Sequence, residues 1–433
     1  MAKKFLSITE AMKKASGKVN IRGWVYRERG SSKLKFIVLR DAETTIQCVI
    51  EKAKLGDEKF KIADKLQVET SMEVTGEIKE DKRAPTGYEI SVTDFNIIGG
   101  SDKYPITKDQ SPEFLLDKRH LWLRSKKMST ILRIRSTYTF AREEFFQNNN
   151  FYRFDPPILQ PSQCEGGSTL FEVKYYKDVT YLSQSWQLYA EAAVFALERV
   201  YDTAPTFRAE RSKTSRHLSE FWMVEAEAAW MDLHEITELA KEELKYCIKK
   251  VIEKHEEDLE FLGQDVEKLK KIVKKPWPTI KYREALKMLK EKNNLEVPFG
   301  KDLRTIEEET LMRNFDTPVV VTHYPRNVVA FYKPADPANE DEALCFDMLA
   351  PEGYCEIVGG SQRSLDVKDM EKRLKNEGED PKNYEWYFDL RKYGSVPHSG
   401  YGVGLERVLA WICKLDNIKD AIAFPRTMLR KSP

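Results

Sequence analysis

The chain has 433 residues, a length that favours two or more domains over a single one. Hydrophobic residues make up 41% of it and charged residues 33%, which excludes a disordered or membrane-embedded protein. The formal net charge of +1 excludes a global attraction for nucleic acid, so any polyanion must be bound by a local basic surface.

The six cysteines are scattered, and no Cys-x-x-Cys pair occurs, which argues against a zinc site and against a disulfide scaffold. No segment near the N-terminus is apolar enough for a signal peptide. No run of about 18 apolar residues could span a membrane. The sequence therefore predicts a cytoplasmic protein without a membrane segment.

The first hundred residues predict a small β-barrel. Five segments rich in β-branched and aromatic residues are separated by turn signals. They cover residues 19–26, 35–40, 45–50, 71–78 and 87–92. A helical stretch, 52–66, follows the third segment, an order typical of an OB-type barrel. Such barrels often bind single-stranded nucleic acid by stacking bases on aromatic side chains, but an SH3-like or other small barrel without a ligand also fits the strand pattern.

A second, larger domain is expected over residues 125–433, after a hinge or linker at 101–124 that contains turn-forming residues. A long helix is expected over 126–147, where apolar residues recur at helical spacing. It is expected to end at Asn148-Asn149-Asn150, because asparagine tolerates a left-handed backbone.

Strands and helices then alternate along the chain. The expected elements are a strand with internal prolines at 151–159, a hairpin at 171–182, a helix at 187–201, and strands at 206–211 and 221–230. This order fits the antiparallel sheet of an α+β fold better than a doubly wound parallel sheet. A charged amphipathic segment, about 233–275, predicts an insertion of two or more helices.

One stretch carries residues suited to phosphate binding. It begins with Phe207-Arg208-Ala209-Glu210 and continues, after a loop at 212–215, with Arg216-His217 and Glu220-Phe221. An arginine can fork onto phosphate oxygens, and the ring of Phe221 could stack on a purine. Arg208 is therefore a candidate ligand of the α-phosphate of a nucleotide. Short patterns of this kind also arise by chance, so the neighbouring residues decide the interpretation.

A glycine-rich stretch lies near the C-terminus, with Gly400, Gly402 and Gly404 followed by Glu406-Arg407. A dinucleotide-binding fingerprint needs glycine where Arg407 stands, and the Walker A pattern is absent. The alternation predicts a strand on which a flat base can lie, followed by a helix over 405–415. A glycine-rich strand that merely packs under a helix is the alternative.

Two carboxylates, Asp347 and Glu356, lie on either side of a predicted turn at 350–353. Two carboxylates together with phosphate oxygens form an ordinary magnesium site. The alternative is a pair of surface acids, the more common fate of aspartate and glutamate.

In this order, these stretches resemble the signature motifs of class II aminoacyl-tRNA synthetases, in the subgroup specific for aspartate, asparagine and lysine. The barrel resembles that subgroup's anticodon-binding domain, and 151–159 resembles the dimer-forming motif 1, with Asn150 in place of the usual glycine. Residues 207–227 resemble motif 2, and 400–407 resemble motif 3. A motif 3 that ends in Glu-Arg argues against the lysine enzymes. The resemblance implies a homodimer with an α+β fold, in which an N-terminal OB-type barrel precedes a catalytic antiparallel sheet flanked by helices.

The resemblance also implies roles for the matching residues, with ATP as substrate. The ATP-binding residues would be Arg208, Glu210, Arg216, His217, Phe221, Glu356, Gly404 and Arg407. Catalysis would depend on Arg208, Glu356 and Arg407, and Mg²⁺ would be held by Asp347 and Glu356. The ammonium of the amino acid would be held by Glu165, which precedes Gly166-Gly167, and by Gln187. The central anticodon base would be bound by Phe36 and Gln47.

The substrate pocket predicts asparagine, with tRNA(Asn) as the nucleic-acid partner. In aspartate enzymes, the stretch that corresponds to 184–190 ends in a lysine that pairs with the substrate carboxylate, and Ala190 stands here. Arg363 could donate to an amide oxygen and Glu225 could accept from an amide nitrogen. The 214–222 and 357–363 stretches also resemble asparagine enzymes of the archaeal or eukaryotic type. The alternatives are an aspartate enzyme, either specific for its own tRNA or accepting both tRNAs, a tRNA-independent asparagine synthetase, and a catalytically inactive RNA-binding relative.

Overall fold

A computed structural model describes residues 4–165, 169–211, 214 and 216–433. The chain divides into two compact units, Met1–Lys118 and Arg119–Pro433. Among the described residues, no helix combines the length and the apolar content that a membrane-spanning segment requires.

The first unit is built around a closed five-stranded barrel with the strand order β1-β2-β3-β5-β4. Its elements are α1 (Ile8–Lys14), β1 (Gly17–Gly30), β2 (Leu34–Arg40), β3 (Thr45–Glu51), α2 (Lys52–Asp64), β4 (Ser71–Glu80), β5 (Tyr88–Gly99) and α3 (Pro112–Asp117). The predicted barrel and the helix after its third strand are confirmed. Inward and outward residues alternate along β2, which places Ile37 and Leu39 in the barrel core. Helix α1, which the sequence interpretation missed, begins with a capping box between Ser7 and Glu10.

The second unit mixes helices with three sheets. Its elements up to the helical insertion are α4 (Arg119–Trp122), α5 (Lys126–Asn148), β6 (Tyr152–Arg153), β7 (Leu159–Gln160), β8 (Glu172–Tyr175), β9 (Asp178–Leu182), α6 (Gln187–Leu197), β10 (Arg199–Phe207), β11 (Glu220–Ala229), α7 (Leu233–Phe261) and α8 (Val266–Lys274). The remaining elements are β12 (Thr279–Lys281), α9 (Tyr282–Asn293), α10 (Thr305–Met312), β13 (Val319–Thr322), β14 (Ala335–Asp336), β15 (Asn339–Ala343), β16 (Cys345–Ala350), β17 (Cys355–Gln362), α11 (Val367–Asn376), α12 (Glu385–Lys392), β18 (His398–Gly404) and α13 (Leu405–Ile412).

The main sheet has eight strands in the order β12-β13-β16-β17-β18-β11-β10-β6. The six strands from β13 to β10 pair antiparallel, as predicted for an α+β fold, and one parallel strand is added at each edge. Helices α5, α7 and α13 bury their apolar residues against one face of this sheet. The opposite face is therefore available to form a binding cleft.

A buried ion pair links two of these helices to the sheet. The Arg142 Nε of α5 donates to the Glu243 carboxylate of α7 over 2.5 Å. The hydroxyl of Tyr401, on β18, donates to the other oxygen of Glu243 over 2.7 Å. Removing one partner of a buried ion pair leaves an uncompensated charge, so this contact fixes α5, α7 and β18 in one arrangement.

The prediction of one continuous strand over 151–159 is wrong. Strand β6 pairs in parallel with β10 in the main sheet, whereas β7 pairs with β9 in a separate three-stranded sheet. Pro156 and Pro157 lie between them and lack the N–H groups that a strand ladder requires. The chain consequently leaves one sheet and enters the other at these prolines.

The helix predicted over 187–201 is too long, because α6 ends at Leu197. Glu198 has a φ of +62°, and β10 begins at the next residue, Arg199. The strand predicted at 206–211 therefore starts earlier and ends earlier than expected. The alanine-rich periodicity of α6 concealed this boundary, although Val200, Tyr201 and Thr203 are residues that favour a strand.

Several other predicted elements are confirmed. These are the long helix α5, the hairpin β8–β9, the two helices of the insertion, and β18 followed by α13, which ends at Ile412. Asn150 has a φ of +62°, as its substitution for glycine suggested. Within the predicted loop at 212–215, Ser212, Lys213 and Ser215 lie outside the described residues.

Candidate active site

Three neighbouring strands, β17, β18 and β11, form the floor of a cleft in the second unit. In register, Gly359 lies opposite Gly402, which lies opposite Glu225. Two residues further along, Gly400 lies between Ser361 and Glu227. Because side chains alternate between the faces of a sheet, the glycines share the cleft face while Tyr401 and Val403 point into the core.

The alternating glycines keep this floor clear of side chains. A Cβ atom at Gly400 would lie 1.8 Å from Glu227 Oε2 and 2.6 Å from Arg363 Nη2. A Cβ atom at Gly402 would lie 2.4 Å from the Met223 Cε atom. The two positions therefore require glycine because of close approach by neighbouring side chains.

The space above this floor, including the part that is open to solvent, is about 1040 Å³. All of the site residues predicted for this unit line it: Glu165, Gln187, Arg208, Glu210, Arg216, His217, Phe221, Glu225, Asp347, Glu356, Arg363, Gly404 and Arg407. Phe36 and Gln47 lie in the barrel.

Arg208 lines the cleft directly after the end of β10. Its guanidinium lies 5.6 Å from the centre of the Phe221 ring. Its buried Nε atom has no hydrogen-bond partner among the described residues. A buried N–H without a partner is costly unless a ligand satisfies it, so Arg208 is disposed to bind an anion.

Arg407, in the first turns of α13, pairs with Glu356 on β17. Its Nη1 atom donates to Glu356 Oε2 over 2.8 Å and to the Glu356 backbone oxygen over 3.2 Å. Burial disfavours the charged form of Glu356, but Arg407, with Arg208 and Arg216, outweighs burial and lowers the pKa of this carboxyl. Glu356 is thus an anion within a strongly cationic part of the cleft.

His217 and Glu210 face each other at the mouth of this cationic region. His217 Nε2 lies 3.4 Å from Glu210 Oε2, and Nδ1 is hydrogen-bonded to the Thr214 hydroxyl. Burial is the largest influence on His217 and lowers its pKa. The ring is therefore mainly neutral at pH 7 when no ligand is bound.

Asp347 and Glu356 meet above Gly359. A Cβ atom at Gly359 would lie 3.5 Å from Asp347 Oδ1 and 3.7 Å from Glu356 Oε1, so the two carboxylates share the space that its missing side chain leaves. Burial, followed by the charge of Glu356, raises the pKa of Asp347 well above its usual value. Two carboxylates that repel each other and point into one space fit a divalent cation.

Glu225, on β11, is held by the segment that precedes α6. The Ser185 hydroxyl donates to Glu225 Oε1, and the Trp186 N–H donates to Oε2 over 3.2 Å. Gln187, the first residue of α6, donates its side-chain amide to Glu191 over 3.0 Å. This bond leaves the carbonyl oxygen of Gln187 as the acceptor that can face a ligand.

Arg363 is fixed by a buried carboxylate, that of Glu227, on the cleft face of β11. Its Nε and Nη2 atoms donate to the two oxygens of Glu227 over 2.8 and 2.7 Å, and Nη1 donates to the Ser361 hydroxyl over 2.8 Å. A guanidinium has five N–H donors, so two remain for a ligand. The plane of Arg363 is thus set before any ligand arrives.

The buried carboxylate of Glu191 joins Gln187 to a group of polar side chains that do not line the cleft. Its carboxylate accepts hydrogen bonds from the Tyr387 hydroxyl and from Arg391, and its Oε2 atom lies 3.0 Å from His398 Nε2. Glu191, Glu227 and His398 are close enough to share a metal ion. Arginine side chains already neutralise both carboxylates, so this cluster fits a structural charge network rather than a metal site.

Glu165 lies where the segment before β8 reaches the cleft. Its carboxylate accepts a hydrogen bond from the Tyr332 hydroxyl over 2.5 Å, and its backbone N–H donates to the Gln184 side chain over 3.1 Å. Gly166 and Gly167, which were part of the same predicted motif, lie outside the described residues.

Ala190 is fully buried in an apolar cluster with Trp186 and Val194, and contributes no charge to the cleft.

Sequence reasoning missed several residues that line or support the cleft, namely Ser185, Glu191, Glu227, Tyr332 and Lys333. Burial disfavours the charged form of Lys333, but the nearby Cys345, Glu165 and Asp347 raise its pKa. The spacing of Glu225 and Glu227 could have indicated that both face the cleft, because alternate residues of a strand share a face. Glu191 and Lys333 have no comparable local signal.

In the barrel, Phe36 and Gln47 lie on adjacent strands and share one face. Val38 is opposite Gln47 and Phe36 is opposite Val49 in the β2–β3 register. The Arg29 guanidinium lies 5.1 Å from the centre of the half-buried Phe36 ring. Gln47 donates its amide to Glu89 over 3.0 Å, which orients its carbonyl oxygen away from that carboxylate.

Comparison with known proteins is consistent with this geometry. The family described as tRNA synthetases class II (D, K and N) matches residues 111–428, and the OB-fold nucleic acid binding domain matches residues 19–98. The chain belongs to the class II tRNA synthetases of this subgroup. The sequence-based prediction of the family and of its α+β fold with an N-terminal OB-type barrel is thereby confirmed.

Within that family, the chain is similar to asparagine–tRNA ligases over nearly its whole length. It is 45% identical to the enzyme of Thermoplasma acidophilum, covering 99% of this chain and 100% of the relative. It is 47% identical to that of Thermococcus gammatolerans, covering 96% of each. The crystal structure of asparaginyl-tRNA synthetase from Pyrococcus horikoshii complexed with asparaginyl-adenylate superimposes with a TM-score of 0.96 at 43% identity, covering 100% of both chains.

We expect Gly400→Ala to disrupt the floor of the cleft. The added methyl would overlap the Glu227 carboxylate, so either β18 shifts or the Arg363–Glu227 pair breaks. Overpacking of this kind costs roughly 1–3 kcal/mol of unfolding free energy, which thermal or denaturant unfolding would measure. Gly100→Ala is the matched control, because a Cβ atom there meets nothing within 4 Å. Equal stability of the two variants would contradict the described packing.

Proposed function

We propose that this protein is an asparagine–tRNA ligase, which activates asparagine with ATP and transfers it to tRNA(Asn). The observation that carries the substrate assignment is the presence of an acceptor, Glu225, and a donor, Arg363, in the same cleft. Glu225 can accept from an amide N–H, and Arg363 has N–H groups left to donate to the amide oxygen. Similarity to asparagine–tRNA ligases over nearly the whole chain supports the same substrate.

The reaction has two steps. A carboxylate oxygen of asparagine attacks the α-phosphorus of ATP, and the bond from that phosphorus to the bridging oxygen of pyrophosphate breaks. The terminal ribose hydroxyl of the tRNA then attacks the carbonyl carbon of the adenylate, and AMP leaves. Neither step needs a covalent intermediate on the protein, so positioning and charge stabilisation provide the catalysis.

Arg208 is the residue to which we assign the α-phosphate, because its buried Nε atom lacks a partner among the described residues and points to an anionic ligand. The Phe221 ring, already in contact with Arg208, is suited to stack on adenine. Arg216, His217 and Arg407 would bind the outer phosphates, with Glu210 beside them, and Gly404 leaves room next to the Arg407 side chain.

Asp347 and Glu356 would hold Mg²⁺, since their carboxylates converge above Gly359. The ion would neutralise charge on the phosphate oxygens. Aspartate enzymes often carry serine where Gly359 stands. In this chain, Asp347 and Glu356 would therefore bind Mg²⁺ without a third side chain from that position. Glu165 and the carbonyl oxygen of Gln187 would accept hydrogen bonds from the ammonium group of asparagine.

We expect ATP–pyrophosphate exchange with asparagine to exceed exchange with aspartate by a large factor, because the side-chain carboxylate of aspartate has no N–H to donate to Glu225. A site that pairs both halves of an amide can discriminate by about 10⁴.

Arg208→Ala should lower the exchange rate by at least about 10²–10³, the typical cost of losing a donor to the developing charge. Arg313→Ala, which removes an exposed arginine from the end of α10, should leave the rate unchanged. Faster exchange with aspartate would identify an aspartate enzyme, and no exchange with either would identify an inactive relative.

For the domains, we propose that residues 1–100 bind the anticodon, 101–124 form a hinge and 125–433 carry catalysis. The half-buried aromatic ring of Phe36 and the oriented amide of Gln47 support base binding by the barrel. A tRNA-independent asparagine synthetase would have no use for such a surface.

We expect Phe36→Ala to weaken tRNA(Asn) binding by roughly 1–3 kcal/mol, because one stacking contact with a base is lost. The KM for tRNA in aminoacylation should rise accordingly, whereas ATP–pyrophosphate exchange, which needs no tRNA, should be unaffected. Ile62→Ala, at an exposed apolar residue of α2, is the control. Unchanged tRNA binding by Phe36→Ala would remove Phe36 from the anticodon site.

We also propose a homodimer that forms along α5 and β6. Phe140 on α5 is 75% exposed and Tyr152 on β6 is 58% exposed. Strand β6 is the last strand of the main sheet, and in the described part of the chain its outer edge has no neighbouring strand. A second copy would cover both the apolar side chains and this edge.

Six free, buried cysteines suit the reducing cytoplasm, where we place the enzyme.

Phe140→Asp should convert the dimer to a monomer, because a charge would be buried at the subunit interface. Sedimentation velocity at micromolar concentration would measure the change. Ile306→Asp, which places the same charge at an exposed residue of α10, should leave the oligomeric state unaltered. A wild-type protein that sediments as a monomer would refute the proposed dimer.

A further inference from the structure

The hydroxyl of Ser185 has a fixed direction in the cleft. Its oxygen accepts the N–H of Gln187 over 3.2 Å, and its own hydrogen is donated to Glu225 Oε1. The backbone oxygen of Ser185 is held in turn by the Ser183 hydroxyl over 3.1 Å and by the Gln160 amide over 3.3 Å. Ser185 is therefore a preoriented donor rather than a rotating hydroxyl.

The two oxygens of Glu225 each receive one donor from this segment, the Ser185 hydroxyl and the Trp186 N–H. Hydrogen bonds donated to a carboxylate favour its ionised form. An ionised Glu225 can accept from the amide N–H of asparagine. A protonated Glu225 could instead donate to the side-chain carboxylate of aspartate, and the distinction between the two amino acids would be lost.

We propose that Ser185 is a specificity-determining residue, whose hydroxyl keeps Glu225 a hydrogen-bond acceptor and thereby excludes aspartate. This inference rests on the proposed asparagine specificity of the cleft. Ser185 acts through Glu225 and does not itself contact the reacting atoms.

Burial and a neighbouring carboxylate favour the protonated form of Glu225, and the donors from Ser185 and Trp186 oppose this. Burial raises the pKa of Glu225 to about 8, although Ser185, Trp186 and the charge of Arg208 lower it. Glu165, from the segment before β8, raises it further. On β10 the opposing residue is Asp202, whose own pKa burial raises to about 6, and β18 presents the uncharged Gly402.

Within the described part of the chain, two further titratable groups lie near this carboxyl. Cys164 adjoins Glu165, and burial raises its pKa well above the usual range, so it remains a neutral thiol. Arg363 lines the same cleft, but Glu227 pairs with its guanidinium. With a pKa of about 8, Glu225 is mainly protonated at neutral pH and mainly ionised above pH 8, so the loss of one donor lowers the ionised fraction at neutral pH.

The sign of the pH effect follows from this balance. The ionised Glu225 that selects asparagine prevails above its pKa and disappears as the pH falls through that value. Ser185→Ala removes a donor to the anion and so raises the pKa of Glu225. The loss of discrimination should then begin at a higher pH in the variant than in the wild type.

The test measures kcat/KM for asparagine and for aspartate in ATP–pyrophosphate exchange between pH 6 and 9. We expect the asparagine-to-aspartate ratio of Ser185→Ala to fall about tenfold or more at neutral pH and to recover as the pH rises, as for a lost hydrogen bond to a charged group. Ser185→Cys, whose S–H is a weaker donor, should lie between the wild type and the alanine variant. Ser399→Ala is the control, because its buried hydroxyl donates to the Met231 backbone oxygen outside the cleft.

An unchanged ratio in Ser185→Ala, or a fall that does not depend on pH, would overturn the inference. So would an equal fall in Ser399→Ala, which would indicate a general loss of structure. A wild-type enzyme that prefers aspartate or activates neither amino acid would instead refute the proposed function. If Ser185→Ala does not fold, an intermediate pH profile for Ser185→Cys supports the inference and a wild-type profile overturns it.

Discussion

Three strands that are far apart in sequence lie side by side in the main sheet, and the cleft exists because of their pairing. Strand β11 supplies Glu225 and Glu227, β17 supplies Glu356 and Gly359, and β18 supplies the row of glycines between them. Each residue reaches the cleft face because its register places it there. A slip of one residue in β18 would turn Tyr401 and Val403 into the cleft and close it.

A network of buried charges beside this floor fixes the residues that would contact the substrate. Glu227 aligns Arg363, while Glu191 orients the amide of Gln187 and joins Arg391, Tyr387 and His398. Buried charges are stable only when they are paired and hydrogen-bonded, so each of these groups needs its neighbours. The result is a site whose donors and acceptors are oriented before the ligand binds, which reduces the reorganisation that binding and catalysis require.

The sequence predicted the barrel, the antiparallel sheet and the membership of the class II synthetases, because strand periodicity and motif chemistry are local signals. It failed where local signals compete. The alanine-rich pattern of α6 hid the start of β10 at Arg199, and Pro156-Pro157 divided a segment that resembled one strand. Glu191 could not have been predicted as an anchor, because its partners Arg391 and His398 lie about two hundred residues away in sequence.

The glycine row in β18 also restricts how this active site could have diversified. A surface without side chains offers nothing to substitute, and any larger residue at Gly400 or Gly402 collides with its neighbours. New substrate preferences must therefore arise at the periphery of the cleft, from positions such as Ser185 and Ala190 that precede or begin α6. The floor itself thus tolerates few substitutions, whereas the short segment before α6 has side chains whose replacement would alter what the cleft accepts.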